Sequence, residues 1–166
     1  SGYTANWPAA CGGQPDIDNN LNPLVTTMST AAYCGDERIR NRRPAGPHDV
    51  FLMIKDTAYA QVTTVTGQAT GNRWALEDNG GGGKTVRLTL GYAQGGSFTG
   101  WGFVDIVIPD GVDNLYLPDM SAISGAAPAG SHLALLVTKQ VGANNSRVIF
   151  HMADNRAGGD QGGQIS

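Results

Sequence analysis

Short apolar runs bounded by Gly, Asn, Pro or Asp follow one another from residue 50 onward, at 50–54, 61–66, 73–77, 85–92, 98–108, 114–117, 133–140 and 147–152. Each is rich in Val, Ile, Leu, Thr or aromatic residues, which suit a pleated, half-buried surface, so these segments predict β-strands. Along 85–92, Val86, Leu88, Leu90 and Tyr92 fall on one face and Thr85, Arg87 and Thr89 on the other, the signature of a sheet with one wet side. Val50-Phe51-Leu52-Met53-Ile54 and Leu133-Ala134-Leu135-Leu136-Val137 are instead apolar on both faces. Such strands belong in the middle of a sheet, or under another segment or subunit.

The first 22 residues are rich in Gly, Pro, Asn and Asp and lack periodicity, which predicts an irregular arm. Asn22 and Pro23 are suited to the N-cap and first turn of a helix in which Leu24, Met28 and Ala32 recur at helical spacing. The β-branched residues of that stretch argue equally for a strand. The expected fold is all-β, an antiparallel β-sandwich or jelly roll with a disulfide-stapled N-terminal arm and at most one short helix. The 166 residues are expected to form one domain: an irregular arm and disulfide loop over 1–47, a strand core over 48–156 and a Gly-rich tail over 157–166.

Composition adds a setting. Only 15% of residues are charged against 40% hydrophobic, with 24 glycines, a profile of exported, surface-fibre, coat and lectin proteins. This places the chain outside cells or on a cell or virion surface. Cys11 and Cys34 fit one disulfide better than a zinc site, which wants four close ligands. Closing that loop would remove about 3 kcal/mol of unfolded-state entropy. The net charge of −3 gives no basic field for nucleic acid, and no apolar run is long enough to span a membrane.

The candidate chemistry is sparse. No Gly-x-Ser-x-Gly elbow, Ser-x-x-Lys motif or Cys beside His is present, and His48, His132 and His151 have no metal-site spacing. Trp101, flanked by Gly100 and Gly102, is the best sugar-stacking platform, with Tyr92 as its companion. Asp105 lies mid-strand on the face that alternation gives to Trp101, Phe103 and Val107, where a carboxylate needs a partner such as Arg. Asp16, Asp18 and Asn20 present alternate oxygens, as do Asp110 and Asp113, but neither group completes an EF-hand loop, so no cofactor is expected beyond an occasional Ca²⁺. Arg38, Arg40, Arg42 and Arg43 form the one dense charge run, fit for an anion or a neighbouring subunit.

Gly111 to Leu117 resembles β-sandwich modules appended to secreted bacterial enzymes over too short a stretch to carry a function. These features predict a non-enzymatic structural subunit of a fibre, pilus-like filament or coat, homo-oligomeric or polymeric and joined through its terminal arms. A carbohydrate-binding module or lectin, with Trp101, Tyr92 and Asp105 as its glycan contacts, is the second reading, and a secreted hydrolase the third.

Overall fold

The computed structural model describes residues 24–28, 37–42, 47–70, 74–79, 83–109, 111, 113–141 and 147–153. Eleven strands run through them: β1 (Leu24–Met28), β2 (Glu37–Arg42), β3 (His48–Ala58), β4 (Thr63–Thr66), β5 (Trp74–Asn79), β6 (Lys84–Gln94), β7 (Ser97–Ile108), β8 (Asp113–Tyr116), β9 (Ser124–Ala127), β10 (His132–Val141) and β11 (Arg147–Ala153). No helix occurs among the described residues, hence none long and apolar enough to cross a membrane.

All eight strands expected from the apolar runs are present, and three more accompany them. The stretch expected to open a helix is strand β1 over Leu24–Met28, which pairs with β3 in parallel; every other pairing is antiparallel. The β-branched side chains of Val25, Thr26 and Thr27 fit a pleated ladder better than a helix turn. The arm and the Cys11–Cys34 pair lie outside the described residues.

Three sheets result, in the orders β1-β3-β10-β6-β7, β2-β11-β5-β8 and β4-β9. The two strands with apolar residues on both faces, β3 and β10, stand second and third in the five-stranded sheet. One face of that sheet supplies Met53, Val86, Leu88, Leu90, Ile106, Leu135 and Val137 to a buried cluster that also contains Trp74 and Leu76 of β5. The cluster therefore draws on both larger sheets and sets which way their strands face. A second cluster of Leu52, Ile54, Ala93 and Ala134, with Phe98 and Leu136 against it, lies on the opposite face of the five-stranded sheet. Alternation from the buried Leu88 and Leu90 leaves Thr85, Arg87 and Thr89 half-buried on that second face, as the pattern predicts.

Strands β6 and β7 form a hairpin closed by Gly95 and Gly96, whose φ angles of 58° and 86° are those of a two-residue turn with both central residues left-handed. Lys84 and Lys139 are fully buried, and both are engaged by other groups. The face assignment has a direct test. Leu135→Ala, in the shared cluster, should lower unfolding free energy by about 2–5 kcal/mol, whereas Val107→Ala on exposed surface should change it by less than about 0.5 kcal/mol. Chemical denaturation of the two variants measures this, and equal losses would contradict the faces given.

Candidate functional site

On the face of the five-stranded sheet turned away from the shared cluster, cross-strand register lines up two contrasting rows. Leu52, Leu136, Thr89 and Phe103 make one, and Asp49, Thr138, Arg87 and Asp105 the next. Within the polar row the Thr138 hydroxyl donates to Asp49 Oδ1 at 2.9 Å. Arg87 grips Asp105 with two parallel bonds, Nε to Oδ1 at 2.8 Å and a terminal guanidinium nitrogen to Oδ2 at 2.9 Å. The same guanidinium stacks on Phe103, 3.5 Å from the ring centroid.

Bidentate hydrogen bonding from Arg87 holds the Asp105 carboxyl below its ordinary range, and Asp105 in turn raises the Arg87 guanidinium. The carboxylate that needed a partner thus has one directly across the ladder. Phe103 and Val107 remain 51% and 67% exposed beside the pair. Since β7 is the last strand of its sheet among the described residues, an apolar margin and an ion pair stand together at a sheet edge.

Trp101 does not share this surface. The register of β6 with β7 slips between Leu90 and Gly91, so that Gly102 opposes Leu90, Gly100 opposes Gly91, and Trp101 is the extra residue of a bulge. Its ring packs half-buried against the shared cluster, 6.0 Å from the Tyr92 ring and tilted by 42°. Simple alternation put Trp101 with Asp105; the bulge separates them. Gly125 of β9 is the shelf beneath this ring, where a Cβ would collide with Trp101 Cδ1. Ser124-Gly125-Ala126-Ala127 carries little intrinsic strand preference. It is held by its register with β4 and by this packing.

His132 contacts the Lys55 carbonyl oxygen through Nδ1 at 2.8 Å. Arg38, Arg40 and Arg42 occupy alternate positions of β2, and Asp113 begins β8. Asp16, Asp18, Asn20, Arg43 and Asp110 lie outside the described residues. Among the described residues, no three His, Cys, Asp or Glu side chains gather to hold a metal ion. No protein-family model matches the chain, and neither does any curated protein. The features that single-residue reading missed are relational: the Arg87 partner of Asp105, the Gly125 shelf, and the bulge at Trp101.

Two outcomes are expected. Asp105, held low in the fold, stabilises it at neutral pH, and this contribution is lost as pH falls below the unfolded value of about 3.9 and through the lowered folded one. With side chains 29% and 36% exposed, an Arg87→Ala, Asp105→Ala cycle should give a coupling of about 0.2–1 kcal/mol at pH 7 that fades as acid protonates Asp105. A coupling unchanged in acid would contradict the pairing. Gly125→Ala should cost about 2 kcal/mol or more through displacement of Trp101. That cost should shrink in a Trp101→Ala background, where the clash is gone; an equal cost in both backgrounds would count against the shelf.

Proposed function

We propose that this chain is a non-enzymatic structural subunit of an extracellular or surface assembly, a fibre, pilus-like filament or coat, joined through its terminal arms. The observation that carries the reading is the five-stranded sheet with apolar clusters on both faces, the second continuing to exposed Phe103 and Val107 at the edge strand β7. A solitary sheet of this kind needs only one apolar face. An exposed edge strand with an apolar margin is a template for another chain, through main-chain bonds that need no conspicuous motif. The two larger sheets are read as a β-sandwich, with the Cys11–Cys34 disulfide stapling the arm that precedes it. The Arg87 and Asp105 pair suits this role too, since one bidentate ion pair at a strand edge fixes register without adding catalytic power.

Glycan binding is the second reading, and the half-buried Tyr92 and Trp101 rings favour it. Asp105 takes no part in that reading, because it is bonded to Arg87 on the other face. Light scattering and sedimentation over a concentration series separate the two. The subunit reading predicts concentration-dependent growth beyond the monomer that Val107→Asp and Phe103→Asp weaken. A monomer at millimolar concentration that binds glycans and loses them on Trp101→Ala would overturn it in favour of the second.

A further inference from the structure

On the outer face of the five-stranded sheet, β6 and β7 present two short columns of side chains. Phe103, Asp105 and Val107 are alternate residues of β7, and Thr89, Arg87 and Thr85 stand directly opposite them on β6. Of the four large apolar side chains exposed among the described residues, Phe103 and Val107 are two, and this one column holds both. The threonines beside them are smaller and half-buried. A bulky, exposed column therefore runs beside a recessed one, with a charge pair across the middle.

That charge pair is satisfied within the chain without being saturated. The two bonds between Arg87 and Asp105 use part of the guanidinium's donors and one lone pair of each carboxylate oxygen. Both side chains also remain partly exposed. The strip is complementary to itself. Sheets pack face to face about 10 Å apart with their strands nearly aligned. A two-fold axis parallel to β7, passing between β6 and β7, lays each copy's β7 column over the other copy's β6 column. Phe103 then covers the second copy's Thr89, Val107 covers its Thr85, and Asp105 meets its Arg87, so that the four charges alternate in sign around a ring. A two-fold axis running across the strands at Asp105 would instead set Phe103 on Val107 and Asp105 on Asp105, bulk on bulk and like charge on like, which is unfavourable. Shape and charge select the same axis.

We infer that this strip is an isologous contact between two copies of the chain, in which Arg87 of each pairs with Asp105 of the other. The inference rests on the subunit reading and names one surface through which subunits meet. A two-fold contact closes on itself, so it joins copies in pairs and leaves further growth to other surfaces. The six residues a side are fewer than the roughly 20–30 of a stable complex. The pairing is accordingly weak alone and is read at high protein concentration.

Arg87→Asp and Asp105→Arg test it, each made singly and both together. Sedimentation over a concentration series up to millimolar reads association, with circular dichroism checking that each variant is folded. Each single variant should self-associate about tenfold or more weakly than wild type, because like charges then face each other across the axis. An equimolar mixture of the two single variants should recover association, although the pair inside each chain stays broken. The double variant, with both charges exchanged, should recover it as well, and added salt should weaken wild type and mixture alike. Thr85→Arg leaves the ion pair intact and should also weaken association, by filling the space that the second copy's Val107 occupies. Where the charge variants do not fold, unchanged association of Thr85→Arg overturns the contact. Wild-type assembly that none of the variants changes would overturn this contact while leaving the subunit reading standing. Weakening without recovery in the mixture would overturn it too, because the strip would then meet a different surface or serve its own sheet. A wild type that stays monomeric at millimolar concentration would overturn both.

Discussion

Burial of Leu76 and Trp74 against Leu88, Leu135 and Val137 is the constraint from which the surfaces of this molecule follow. Strand residues alternate between faces, so once one residue per strand is committed to the shared cluster, every neighbour is committed too. A slip of one residue in β5 would turn Trp74 and Leu76 away from the cluster. Lost burial alone makes that slip costly, since each side chain in the cluster contributes about 1.5–3 kcal/mol when removed from water. Interior packing thus dictates where the charge stands outside.

The bulge at Trp101 is the one described place where that alternation is broken on the face boundary of β7, and it moves the largest side chain of the strand. Phe103, Asp105 and Val107 keep their places on the outer face, while Trp101 packs against the shared cluster with the Tyr92 ring beside it. One inserted residue therefore separates the stacking candidates from the ion pair. Each half then has a different use: the aromatic pair rests on Gly125, and Arg87 locks the cross-strand register beside exposed apolar surface.

Much of the strand content was legible in the chain, because runs such as 85–92 and 98–108 are long, alternating and bounded by turn residues. The faces of β6 were legible for the same reason. Three strands were not. In β9, Ser124-Gly125-Ala126-Ala127 has no local preference and exists through its partners; in β2, charge hides the alternation; in β1, helical spacing competed with β-branched side chains and tertiary pairing decided. Lys84 and Lys139 are buried, which no local pattern could reveal. The Arg87 partner of Asp105 likewise needed cross-strand register, since 18 residues separate them in the chain.

The parity of β7 is the hinge of this account, and thiol labelling of single-cysteine substitutions along it tests that parity most directly. With peptide mapping to distinguish the native cysteines, Phe103→Cys and Val107→Cys should react readily with a maleimide in dilute protein, and Ile106→Cys should be strongly protected. Uniform reactivity along the strand, or protection of positions 103 and 107 with Ile106→Cys exposed, would contradict it.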